Sequence, residues 1–172
     1  PEKGVSAAER LRTITRQELQ GMLMENSDEP HADVIARAVV SKIKKGTAID
    51  TTTKLREVIE EALEFLPEHE KKEAVKKTCQ RTFQALRIDV NSEFEVLYEF
   101  LEKLPNVLAK GGRAAILTFH SGEDRLVKKS FKRLLREGVY QEISTDVIRP
   151  SAEECRMNSR ARSTKMRWAI KE

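Results

Sequence analysis

The sequence predicts an α/β chain in two parts: an all-helical module over residues 1–80, then part of an α/β sheet with its helices over residues 81–172. Three observations predict it. Apolar residues in the first part recur at helical spacing between capping and stop signals. Residues 113–119, Arg-Ala-Ala-Ile-Leu-Thr-Phe, form a short apolar run after Gly111-Gly112, which suits a buried strand. Helix, strand, helix, strand and strand then follow in the order of half an α/β sheet.

In the helical part, Ser6 starts a helix through Ile14, and Thr15-Arg-Gln-Glu18 has the form of a capping box ahead of Leu19, Met22 and Leu23. Val34, Ile35, Ala38, Val39 and Ile43 mark a helix ended by Gly46. Threonines 51–53 precede Leu55, Val58, Ile59, Ala62, Leu63 and Leu66, and Pro67 stops that stripe. Residues 68–77 are charged and read as a solvated helix or linker. These stripes are core positions before anything else. After Arg81, residues 93–108 carry Phe94, Leu97, Tyr98, Leu101, Leu104 and Leu108 at helical spacing, with Pro105 near the end. Residues 125–136 read as a helix. Val139, Gln141, Ile143 and Thr145 alternate as a strand does, and a last short strand is expected at 166–170.

The 172 residues suffice for one domain with a core or two small modules. No segment approaches the ~18 apolar residues of a membrane span, and residues 1–10 are not a signal peptide. Cys79 and Cys155 are far apart, and His31, His69 and His120 are scattered, so neither a disulfide framework nor a metal site is expected. A reducing, cytoplasmic compartment is the default. Residues 1–80 hold 14 Lys/Arg against 15 Asp/Glu, whereas residues 81–172 hold 18 against 13. Within the latter, 125–136 and 156–171 each carry six basic residues and no acid. Such clusters suit phosphate, and equally a solvated helix face and a basic tail.

The stretch 117–131, "LTFHSGEDRLVKKSF", lies where the apolar run meets the basic helix. Ligands of open α/β sheets bind beyond the carboxyl ends of the strands. Ser121 as helix cap, with Glu123 and Asp124 favoured by the helix dipole, explains most of the motif structurally. His120 is not explained that way, and both readings stay open on physics alone. A Ser/His hydrolase is disfavoured, because adjacent side chains seldom converge and no G-x-S-x-G elbow occurs.

Three stretches carry a resemblance: "RTFQALRIDVNSE" (81–93), "KGGRAAILTFHSGEDRLVKKSF" (110–131) and "RPSAEECRMNSRARSTKMRWA" (149–169). In this order they closely resemble the C-terminal half of the MraW/RsmH family of S-adenosylmethionine-dependent rRNA methyltransferases. "SAAERLRTITRQELQGML" and "IDTTTKLREVI" look like that family's inserted helical domain, so the likeness spans essentially the whole chain. It implies a partial Rossmann-like class I methyltransferase sheet, AdoMet as cofactor, and methylation of N4 of a cytosine in the decoding region of small-subunit rRNA. It implies His120, Ser121 and Glu123 as the wall of the target-base pocket, with Asp124 and Arg125 bracing it as a local pair. Arg87 and Asn91 fall where the helical insert rejoins the catalytic part. They count with Arg125, Asn158, Arg160, Arg162 and Lys165 as expected rRNA-binding residues; holding the two parts together and a solvated tail are the bland alternatives.

The sequence departs from the family at Gly122, usually a bulky apolar residue, at Lys110, usually a proline, and at Ser159, often a proline. Its glycines, at 4, 21, 46, 111, 112, 122 and 138, form no G-x-G, so the glycine-rich AdoMet loop and the ribose-holding acid are expected upstream. The chain reads as the C-terminal part of a longer methyltransferase, inactive alone. The rival reading is a non-catalytic RNA-binding or assembly module that keeps the basic surface. An incomplete sheet exposes backbone edges, so self-association as a homodimer is expected. The partners implied are small-subunit rRNA or the ribosomal small subunit, and no membrane.

Overall fold

The computed structural model describes residues 4–172; residues 1–3 of the expected helical module lie outside the described residues. The chain divides into two compact units, the first ending at Glu93 and the second comprising Phe94–Glu172. The division falls 13 residues later than the 80/81 boundary expected from sequence, because one helix runs through that point.

The first unit contains helices α1 (Ala7–Thr13), α2 (Arg16–Ser27), α3 (Ala32–Lys44), α4 (Thr52–Ala62) and α5 (Glu68–Asn91). Both expected capping boxes form: Ser6 with Glu9 opens α1, and Thr15 with Glu18 opens α2. In each, hydroxyl and carboxylate satisfy amides that the first helical turn leaves unpaired. The Thr51 hydroxyl accepts from the Lys54 N–H at the start of α4. Gly46, at φ +89°, lies just beyond α3, where a side chain would be strained. The core gathers Leu19, Leu23, Ile35, Val39, Leu55, Ile59, Leu63 and Val75.

Helix α5 decides between the two readings of residues 68–77, helix or linker. Residues 68–77 are its opening turns, not a linker, and they continue unbroken to Asn91. No glycine or proline interrupts them, and Val75, Thr78, Cys79, Thr82, Ala85 and Leu86 form one buried stripe. Glu29, between α2 and α3, is buried against this helix. Its Oε1 accepts from the His31 N–H at 2.9 Å and from the Thr78 hydroxyl at 3.1 Å. The Arg81 guanidinium lies 3.7 Å from Oε2. A buried carboxylate survives because such donors replace its lost water.

The second unit holds α6 (Glu93–Val107, bar its first residue), β1 (Arg113–Thr118), α7 (Ser121–Arg136), β2 (Tyr140–Ile143), α8 (Ala152–Met157) and β3 (Lys165–Lys171). A 3₁₀ turn at Ser159–Ser163 follows α8, so the segment expected as a basic tail is ordered in part. The three strands form a small sheet in the order β1-β3-β2, and β3 is antiparallel to both neighbours. Strands β1 and β2 therefore point the same way, with α7 on the crossover between them.

One sheet face carries Ala114, Ile116 and Thr118 beside Arg167 and Ala169. It packs with α6 and α7 around Leu101, Leu104, Val127, Phe131, Leu134 and Tyr140. Phe131 and Tyr140 meet edge to face at 5.6 Å between centroids. Burial pushes the Tyr140 hydroxyl above its ordinary pKa. Among the described residues, no helix is long and apolar enough to cross a membrane.

Candidate active site

The turn from β1 into α7 is closed by His120. Its Nδ1 accepts from the Glu123 N–H at 3.4 Å, so the histidine is the helix N-cap. Ser121, expected in that role, is instead the first helical residue and is exposed. Imidazole reaches the third amide as a hydroxyl does in a capping box. Glu123 reaches back in return: its Oε2 accepts from the N–H of Phe119, the residue before the cap, at 2.8 Å.

This arrangement fixes two further atoms. With Nδ1 accepting, the neutral ring carries its proton on Nε2. That Nε2 is buried, and it has no hydrogen-bond partner among the described residues. Glu123 Oε1 is 3.3 Å away, but the alignment is too poor for a hydrogen bond. The His120 side chain nonetheless does most to hold the Glu123 carboxyl below the usual carboxylate range; burial opposes this and the Phe119 amide assists. The two side chains are 13% and 25% exposed. A donor and an ionised acceptor thus stand side by side at the carboxyl end of β1.

Two neighbours complete the setting. The Phe94 ring lies 5.9 Å from the His120 ring, centroid to centroid. A Cβ on Gly122 would come 2.6 Å from Phe94 Cζ and 3.2 Å from His120 Nδ1. Glycine here admits the phenyl ring to a place that a side chain at 122 would occupy.

Asp124 takes a distant partner. Arg167 Nε and Nη2 lie 2.7 and 3.3 Å from its two carboxylate oxygens. Burial tends to raise the Asp124 carboxyl, but Arg167, Lys165 and Lys128 outweigh it and the net shift is downward. Sequence reasoning missed this pair. Its signal was a charged residue, Arg167, at the same inward-facing parity as Ala169 and flanked by Met166 and Trp168.

Of the expected rRNA-binding residues, Arg125 is exposed on α7. Lys165 pairs in the strand ladder with Thr118 and is half-buried, 3.8 Å from Asp124. Asn158 Oδ1 accepts from the Arg160 N–H at 3.1 Å, which holds the 3₁₀ turn presenting exposed Arg160 and Arg162. Arg87 and Asn91 belong to the first unit, where both reach Glu93: Arg87 through two 2.9 Å bonds and Asn91 at 3.3 Å. The structure thus brings His120 and Glu123 together, with Lys165 near the same strand end. Arg87 and Asn91 share the Glu93 carboxylate.

A mixed helical chain with a small three-stranded sheet is consistent with what comparison with known families finds. A model of the MraW methylase family matches residues 1–172, and the chain belongs to that methyltransferase family. Among its relatives, ribosomal RNA small subunit methyltransferase H 1 of Lachnoclostridium phytofermentans is 75% identical over 171 residues, 99% of this chain and 47% of that protein. Ribosomal RNA small subunit methyltransferase H 2 of Alkaliphilus metalliredigens is 66% identical, over 99% of this chain and 49% of that protein. Ribosomal RNA small subunit methyltransferase H of Elusimicrobium minutum is 38% identical, over 96% and 54%. The chain spans about half the length of the curated relatives it matches.

Proposed function

We propose that this chain is part of a cytoplasmic, AdoMet-dependent methyltransferase that modifies N4 of a cytosine in the decoding region of small-subunit rRNA. The observation that carries the reading is the His120 Nε2–Glu123 Oε1 pair. The Watson–Crick edge of cytosine offers an acceptor, N3, beside a donor, the N4 amine. A buried Nε2–H next to an ionised carboxylate is the complementary donor–acceptor pair. The N4 lone pair is delocalised into the ring, so an acceptor that draws on its N–H raises its nucleophilicity. Glu123 fills that role, His120 orients the base through N3, and Ser121 lines the exposed rim.

AdoMet, when bound, supplies the electrophilic methyl group. Residues 1–172 do not fit it unaided: they contain no G-x-G through which backbone amides approach a cofactor closely. This chain by itself therefore binds no AdoMet and transfers no methyl group. The domain reading is that the helical part is an insert serving substrate recognition, and that β1, α7, β2 and β3 belong to a larger Rossmann-like sheet. The parallel run of β1 and β2 with α7 between them supports this. Arg87, Asn91, Arg125, Asn158, Arg160, Arg162 and Lys165 are assigned to rRNA, with the small ribosomal subunit as partner and a homodimer as the assembly.

The test joins these residues to the upstream half of a relative and follows methyl transfer to small-subunit rRNA. His120→Ala and Glu123→Gln should lower the rate by roughly 10²-fold or more while leaving AdoMet affinity unchanged. Loss of AdoMet affinity with an unchanged rate at saturation would place these residues on the cofactor instead. The rival, a non-catalytic RNA-binding module, rests on the missing G-x-G; it predicts rRNA binding without methylation even in the joined protein.

A further inference from the structure

The second unit has a groove of about 650 Å³ between α6 and α7, lined by residues that the candidate active site does not use. Three observations point to its occupant. Lys129, Lys132 and Arg136 stand at i, i+3 and i+7 on one face of α7, and all three are exposed. The neighbouring cation is already neutralised, since Arg133 contacts both Glu102 and Glu137. Tyr98, on α6, is 56% exposed in the same groove. Ser130, on its floor, is only 8% exposed, and its hydroxyl has no hydrogen-bond partner among the described residues.

A row of cations without an ion-pair partner among the described residues, an exposed aromatic face and a buried hydroxyl likewise unpaired there are three different demands. One ligand class meets them together. Phosphates pair with the cations, a base stacks on the tyrosine, and a ribose hydroxyl or base edge reaches Ser130. An acidic peptide would answer only the first.

We propose that the α6/α7 groove binds single-stranded RNA, as a second contact about 15 Å along α7 from Glu123. This rests on the rRNA reading above and deepens it: the strand carrying the target base is held at a distance from it by a stacking platform. The contact is indifferent to sequence, because every base has a face to stack.

The experiment titrates the 172-residue chain against labelled oligouridylate over a range of salt. It compares wild type with Tyr98→Ala, Tyr98→Phe, and a triple Lys129→Gln, Lys132→Gln, Arg136→Gln variant. Tyr98→Ala should weaken binding about tenfold and Tyr98→Phe hardly at all, since the ring and not the hydroxyl stacks. The triple variant should lower the log–log salt slope by about 2, from roughly 0.7 for each phosphate released on a single strand. Oligouridylate carrying a photoreactive base should crosslink to Tyr98. Circular dichroism checks that each variant keeps the fold. Wild-type binding matched by all variants, with crosslinks elsewhere, overturns the groove and leaves the rRNA reading standing. A wild-type chain that binds no RNA overturns both. Unchanged RNA affinity with a lost dimer in Tyr98→Ala makes the groove a self-association surface and overturns the proposal.

Discussion

Arg167 of β3 and Asp124 of α7 meet in a two-point ion pair, at 2.7 and 3.3 Å, that fastens the middle strand to the first turn of the helix. Their side chains are 9% and 13% exposed. Removing one partner leaves the other charged and poorly solvated. Asp124→Asn is expected to destabilise the second unit by about 3 kcal/mol in urea denaturation. Replacing both residues with apolar ones of similar size should cost less than either single change.

The same turn should be sensitive to acid. The folded-state carboxyls of Glu123 and Asp124 are both held below their ordinary values of 4.5 and 3.8. A depressed carboxyl contributes stability that is fully present above its unfolded pKa and lost as the pH falls through the folded one. The melting temperature should therefore be flat near neutrality on account of these groups and fall below about pH 4.5. Arg167→Gln should flatten the acid limb. An acid limb identical in wild type and variant would remove Asp124 from the account.

Gly122 and Phe94 should behave as one unit. Gly122→Ala places a methyl where the phenyl ring stands and should cost about 1 kcal/mol, tempered by the helix preference of alanine. Phe94→Leu vacates the tip of the ring. The double variant is expected to be more stable than the sum of the single changes by at least 0.5 kcal/mol or so, which a double-mutant cycle measures.

Glu29 makes a parallel prediction for the helical unit. Glu29→Ala unpairs the His31 amide and the Thr78 hydroxyl and empties a buried position beside α5. A loss of about 3 kcal/mol is expected in chemical denaturation, with Glu29→Gln recovering part of it.

Binding of the 3₁₀ turn to RNA should depend on Arg160 and Arg162 more than on Lys165, which already faces Asp124. The Arg160→Ala, Arg162→Ala pair should flatten the salt slope by about 1.4, against little change for Lys165→Ala. Salt titration of oligonucleotide binding separates the two.

Much of the fold was legible in local chemistry. The capping boxes at Ser6 and Thr15 and the glycine-bounded apolar run that became β1 are written in contiguous residues, and each formed where expected. Helix α5 was half hidden, because its first turns are charged and its buried stripe includes the polar Thr78 and Thr82. At the candidate site, residue preference gave the helix cap to serine, whereas the geometry gives it to histidine. The Arg167–Asp124 pair was out of reach for a different reason. Its partners are 43 residues apart, and only the strand register brings them face to face.

The sheet order also sets a sequence of events. Strands β1 and β2 share no ladder, because β3, the last of the three in the chain, lies between them. Among the described residues β3 is the ladder partner of both earlier strands, so every bond among these three strands closes over a long stretch of chain. Such late, non-local closure is slow. During synthesis the ladder of these three strands cannot close until β3 emerges, whereas the helical unit ahead of it folds from contacts among its own neighbours.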